Sequence, residues 1–215
     1  MVYDTEQEQI EAIKNWWSRW GNAVIGGVLI FVVGYFGVFF YNDQQAKKYA
    51  AASDLYQQVL RVVADKTTLT TDEQARFDAL FADLSDQHAK STYTTYTAML
   101  QARFQADAEN YSTARETLVW ALEQNTDDAL DRVITLRIAR LQVAEGELDA
   151  ALATLDSMSA EGQQMAFDEL RGDIYQAKGD ADAARNAYQS AWTIAQQQGL
   201  TAPLLQAKAE RFGLL

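Results

Sequence analysis

The sequence predicts an all-α protein, with a single N-terminal transmembrane helix followed by an α-solenoid of paired helices. Three observations carry this. The stretch Ala23–Tyr41, AVIGGVLIFVVGYFGVFFY, holds no charged residue. At about 1.5 Å per residue it crosses most of a hydrocarbon core roughly 30 Å thick. The chain is rich in Ala, Leu and Gln and has one proline among its 215 residues, a composition that favours helix. Beyond the apolar stretch, small residues recur at a fixed interval.

Residues 1–22 form a leader. Asp4, Glu6 and Glu8 precede Ile10, Ile13, Trp17 and Trp20, whose three-to-four spacing marks a short amphipathic helix with an acidic start that suits the helix dipole. Trp16, Trp17 and Trp20 stand where an interfacial aromatic belt belongs, and Phe39, Phe40 and Tyr41 supply the opposite one. The leader is expected to lie in the headgroup plane before the chain turns inward. The apolar run exceeds the roughly 7–15 residues of a signal peptide, and an acidic leader is wrong for one, so residues 23–41 read as an uncleaved anchor. Lys14 and Arg19 before the span balance Lys47 and Lys48 after it, so charge alone leaves the orientation open. Within the span, Ala23, Gly27 and Gly34 fall on one helix face, a candidate docking face for another membrane helix.

Residues 42–215 suffice for one well-cored domain. From Asn42 onward 16 Lys/Arg stand against 26 Asp/Glu, a net charge of −10. Nucleic acid is repelled by such a surface. With no cysteine, disulfides, zinc thiolates and thiol nucleophiles are excluded.

The domain begins with an apolar stripe of Ala50, Leu55, Tyr56, Val59, Leu60 and Val63, broken by Asp65–Thr71. Thr71 is the expected cap of the next helix, ahead of Asp72 and Glu73, with Phe77, Leu80, Phe81 and Leu84 as its apolar face. Asp86–Ser91 reads as a connection. Then the chain repeats. Ala102, Ala139 and Gly172 are each followed twelve residues later by Ala114, Ala151 and Ala184, and four further on by Leu118, Leu155 and Tyr188. Turn signals separate the paired helices at Glu109-Asn110, Glu145-Gly146 and Lys178-Gly179-Asp180. This is a tetratricopeptide-repeat-like α-solenoid, in which a small residue on each helix of a pair lets the two close. The last unit fits best. In the first two, Gln105 and Gln142 stand where Tyr is expected. Thr201–Leu215 supplies a capping helix, with Pro203 near its first turn.

No catalytic, metal or cofactor site is expected. His88 is the only histidine, in a polar connection, and no phosphate loop or hydrolase motif is present. Binding is the better prospect. The first helices of stacked pairs line a shared surface, here Tyr96, Met99, Val133, Leu136 and Val143, with Arg103 and Arg140 basic within an acidic domain and Glu169 and Asp173 in the last unit. Such a groove would take a segment of a partner protein.

Tyr3–Lys14, then Trp16-Trp17, Gly21 and one apolar span resemble the start of the YfgM-type family of ancillary SecYEG translocon subunits. Val133–Val143 followed by Ala150–Asp156, with Leu170-Arg171-Gly172-Asp173 and Lys178-Gly179-Asp180, is similar to the same family. The resemblance implies a bacterial inner-membrane protein with residues 1–22 cytoplasmic and a periplasmic domain. It implies a non-enzymatic adaptor beside the translocon and the membrane-anchored prolyl isomerase PpiD, helping translocating polypeptides reach periplasmic chaperones. The alternative from the repeats alone is a scaffold for another envelope-assembly or division complex.

Overall fold

The computed structural model of the chain describes residues 3–214. The side chains of residues 1–8, and with them the acidic start Asp4, Glu6 and Glu8, lie outside the described residues. Among the described residues every regular element is an α-helix. The chain divides into two compact units, Met1–Ala51 and Ala52–Leu215.

In the first unit the helix is unbroken. Helix α1 runs Tyr3–Val63 and continues into the second unit, so the expected boundary at Asn42 falls inside it. The turn expected between leader and span is absent, because nothing at Gly21-Asn22 interrupts the i→i−4 ladder. Instead Gly21 is a seat. The Trp17 indole lies 3.2 Å from where a Gly21 Cβ would be, and the ring covers the backbone there. The apolar side chains from Val24 to Tyr41 are exposed along this helix, Phe31 at 72%. The helix is long and apolar enough to cross a membrane.

The second unit opens with the last turns of α1. Ala52, Val59, Val62 and Val63 are buried there, whereas Ala50 and Leu60, expected in the stripe, are exposed. The buried set is spaced seven, three and one apart, a narrower face than the expected stripe. Helix α2, Thr71–His88, begins one residue later than its cap. The cap is Thr70, not Thr71: Thr70 Oγ1 accepts from the Glu73 N–H, and the Glu73 carboxylate accepts from the Thr70 N–H at 3.0 Å, a reciprocal capping box. The helix also extends through His88, shortening the connection expected at Asp86–Ser91, and Ser91 caps the next helix.

Lys66 Nζ lies 2.5 Å from Glu73 Oε1. That ammonium, then the Thr70 N–H, holds the Glu73 carboxyl down to about 2 from its ordinary 4.5. A depressed carboxylate stabilises the fold above its unfolded pKa, and the contribution disappears as pH falls through the folded value. The first turn of α2 is therefore expected to lose amide-exchange protection as pH drops from about 4.5 to about 2, and Glu73→Gln is expected to remove this pH dependence.

Three hairpins follow: α3 Thr92–Asp107 with α4 Tyr111–Gln124, α5 Asp128–Ala144 with α6 Leu148–Asp156, and α7 Gln164–Lys178 with α8 Ala181–Gln197. All three interhelix turns fall where the sequence signals them. They share one geometry: the Asn110, Glu147 and Asp180 N–H groups donate five residues back, to Gln105, Gln142 and Tyr175 carbonyls, at 2.8–2.9 Å. The residue before each donor is left-handed, Gly146 at φ 80° and Gly179 at φ 81°, but Glu109 at φ 61° in the first hairpin. This is a Schellman-type ending in which the first hairpin carries a side chain where glycine is the unstrained choice.

Gln105 and Gln142 do more than stand in for tyrosine. Thr117 Oγ1 donates to Gln105 Oε1 at 2.9 Å, and Thr154 Oγ1 to Gln142 Oε1 at 2.8 Å, each across its hairpin at the same spacing. Two hairpins thus share a polar clasp that the third replaces with Tyr175 and Ala187. Of the buried threonines of α3, Thr94 donates to the His88 carbonyl at 2.7 Å and Thr97 to the Tyr93 carbonyl at 2.8 Å, while Thr95 donates to Asn125 Oδ1 at the end of α4 at 3.4 Å.

The small positions Ala102, Ala114, Ala139, Ala151, Gly172 and Ala184 are all buried. The close approach at Gly172 is not to Ala184, however. A Cβ at Gly172 would lie 2.5 Å from two ring carbons of Tyr188. The glycine makes room for a tyrosine where the first two hairpins have the pairs Ala102 with Leu118 and Ala139 with Leu155. Total volume is conserved across the pair, as close-packed interiors require.

Helix α9, Pro203–Arg211, starts with proline in its first turn, packs Leu205 into the cluster of Tyr188 and Ala191 of α8, and buries Ala209.

Candidate functional site

Two surfaces concentrate the residues singled out from the sequence. The first is the small-residue face of the apolar stretch. Nothing lies within 4 Å of where a Cβ would be at Gly27 or Gly34, and the same holds for Gly26 and Gly37. At 3.6 residues per turn, Ala23, Gly26, Gly27, Gly34 and Gly37 all fall within an arc of about 100°. Gly26 and Gly37 escape a search for four- and seven-residue spacings and emerge only when the whole span is wound onto a helix. Ile30, 76% exposed, projects from the same arc with open glycine backbone on either side of it, a knob flanked by recesses against which a second membrane helix can pack closely.

The second surface lies between α3 and α5. Met99, Ala102, Arg103 and Ala106 of α3, Leu118 of α4, and Arg137, Arg140 and Leu141 of α5 line a crevice of about 180 Å³. Its floor is apolar and its rim carries three guanidiniums. Arg103 is anchored: its Nη2 donates to the Lys66 carbonyl at 3.0 Å, its Cζ sits 4.3 Å above the centre of the Phe104 ring, and Nε is 3.8 Å from Asp107. Arg137 and Arg140 make no ion pair or side-chain hydrogen bond among the described residues. Burial, then the charges of Arg140 and Arg103, push the Arg137 pKa down. Arg137 was not among the expected groove residues, because it is one step round the helix from the Leu136 and Arg140 positions that the repeat numbering selects.

The other expected groove residues divide. Tyr96 is exposed at the start of α3, 6.0 Å from Tyr56 between ring centres, while Met99 and Leu136 are buried and Val133 and Val143 half-buried. Glu169 and Asp173 are engaged by α9. Lys208 Nζ donates to Glu169 Oε1 at 2.8 Å and lies 2.7 Å from Asp173 Oδ1. Burial opposes the ammonium charge, but these two carboxylates outweigh it and raise its pKa. In the last hairpin the shared surface is thus already occupied by the chain's own helix.

A larger cleft of about 430 Å³, lined by Phe81, Ser85, Asp86, Glu116, Thr117 and Trp120, carries the acidic sign of the domain as a whole. Among the described residues no group of three His, Asp or Glu side chains converges as metal ligands. His88 is half-buried, with its carbonyl engaged by Thr94.

A family model described as a tetratricopeptide repeat-like domain matches residues 14–213. The chain is 32% identical over 192 residues to a protein of Haemophilus influenzae named ancillary SecYEG translocon subunit, covering 89% of this chain and 91% of that one. A protein of the same name from Escherichia coli is 30% identical over 189 residues, 88% of each chain. One from Neisseria gonorrhoeae is 22% identical over 205 residues, 95% of this chain and 96% of that one. No solved structure matches the chain.

Proposed function

Because the chain belongs to the tetratricopeptide repeat-like family of ancillary SecYEG translocon subunits, we propose that it is a non-enzymatic, membrane-tethered adaptor at the SecYEG translocon. Residues 23–41 anchor it in the bacterial inner membrane, residues 1–22 lie in the cytoplasm, and residues 42–215 form a periplasmic binding domain. It acts beside the translocon together with the membrane-anchored prolyl isomerase PpiD and passes translocating polypeptides to periplasmic chaperones. The observation that carries this is the joining, in one chain, of a helix long and apolar enough to span a bilayer and an array of helical hairpins whose open surfaces suit protein segments rather than small-molecule chemistry.

The glycine arc is the docking face in this reading. A photocrosslinking residue at Gly27 or Gly34, within the arc, is expected to capture translocon subunits in native membranes. One at Phe31, on the bulky flank, is expected to capture them much less. Recovery of other envelope assemblies, with no translocon subunit from any position, overturns the proposal in favour of a scaffold in a different complex.

A further inference from the structure

We propose that the crevice between α3 and α5 receives the carboxylate side chains of an acidic polypeptide segment that also carries apolar residues. This rests on the reading of residues 42–215 as a binding domain, and adds the chemistry of what is bound.

Arg137 and Arg140 are three residues apart and therefore share one face of α5. Arg103 faces them across the crevice from α3 and is held there by the Lys66 carbonyl and the Phe104 ring. Two other half-buried arginines of the domain are neutralised, Arg115 by Glu145 and Glu147 and Arg171 by Asp156 and Asp168, and Arg103 itself keeps Asp107 at 3.8 Å. With 26 Asp/Glu available beyond Asn42, the crevice nonetheless gathers three guanidiniums around a half-buried member, Arg137. Like charges held this close repel, and burial adds to the penalty on Arg137. An incoming carboxylate relieves both, and the planar forks of Arg137 and Arg140 suit its two oxygens.

The floor decides between sources of anion. Met99, Ala102, Ala106, Leu118 and Leu141 offer apolar contact, which a free inorganic anion cannot use. A lipid headgroup would bring an extended anionic bilayer against the whole surface of a domain of net charge −10, whereas a short acidic segment need meet only the three guanidiniums of the crevice. A polypeptide with carboxylates beside apolar side chains satisfies rim and floor together. The exposed Tyr96, one turn before Met99 on α3, extends the path along the same helix.

The test uses the full chain in detergent and two rhodamine-labelled decapeptides, one of Glu and Leu and its counterpart of Gln and Leu, read by fluorescence anisotropy. The Glu peptide is expected to bind about tenfold more tightly than the Gln peptide. R137Q/R140Q is expected to abolish that preference with a melting temperature equal to or above the parent's, since it removes repulsion. R137K/R140K, which keeps the charge without the fork, is expected to retain part of it. Equal binding of the two peptides, or an unchanged preference in R137Q/R140Q, overturns the proposal. So does arginine-dependent binding to vesicles of equal parts phosphatidylglycerol and phosphatidylcholine without peptide preference, which would assign the crevice to lipid. Crosslinking from Gly27 and Gly34 reports on the translocon association separately, so translocon capture without a peptide preference overturns the crevice proposal alone.

Discussion

Replacing Asp168 with Ala is expected to cost about 3 kcal/mol and to lower the melting temperature of the full chain by roughly 10 °C. Asp168 is 7% exposed and ties three helices together. Its Oδ1 accepts from Gln164 Nε2 at 2.9 Å and from Arg171 Nη1 at 3.0 Å, and its Oδ2 accepts from Ser190 Oγ of α8 at 2.7 Å. Arg171 in turn reaches Asp156 at the end of α6, at 2.9 Å. Removing one member of a buried pair leaves the other charge uncompensated, which costs about 3–5 kcal/mol. The low end applies because Arg171 keeps Asp156 and is itself 23% exposed. Asp168→Asn keeps an acceptor for Ser190 and is expected to lose less. Urea unfolding followed by circular dichroism measures both. A loss under about 1 kcal/mol for Asp168→Ala would show that the network is merely superficial.

The second large effect is a compensation. Gly172→Ala places a methyl group 2.5 Å from the Tyr188 ring. Tyr188 is fully buried and its hydroxyl donates to Asp173 Oδ1 at 2.8 Å, so the ring cannot swing clear. Burial and the Asp173 carboxylate together raise its pKa, keeping it the neutral donor this bond needs. Overpacking of this kind costs about 1–3 kcal/mol, and a rigid target puts it near the top, partly offset by about 1 kcal/mol from the better helix propensity of Ala. Tyr188→Leu alone opens a cavity and costs about 2–3 kcal/mol. The double variant rebuilds the Ala–Leu combination of the other two hairpins. It is expected to recover at least about 2 kcal/mol relative to the sum of the single changes. Simple additivity would mean that Gly172 is present for helix closure rather than for the tyrosine.

Much of this fold is legible in the sequence because its signals are local. The helix ends follow from turn residues within a few positions, as at Gly146 and Gly179. The hairpins follow from small residues that need only their own spacing to be seen. What escapes is whatever depends on a partner far along the chain. The sequence shows Glu169 and Asp173 as open positions because Lys208, 39 and 35 residues later, is invisible as their partner. Arg137 is overlooked because its role depends on Arg103 across two helices. The Gln–Thr clasps look like degraded repeats because motif matching registers the missing aromatic and not the hydrogen bond that replaces it. The cap at Thr70 is missed by one residue, since Thr70 and Thr71 are chemically alike and only the Glu73 contact distinguishes them.

The Lys208 bridge bears on how such an array would lengthen over evolution. Glu169 and Asp173 stand four residues apart on α7, a repulsive pair if left alone, and one ammonium converts them into a bound triplet. A duplicated hairpin inserted after Gln197 would take the seat of α9 and would have to bring a cation to the same point. Duplications lacking one would inherit the repulsion together with an uncovered apolar seat around Tyr188 and Ala191. Growth at this end is therefore filtered by charge before it is filtered by shape.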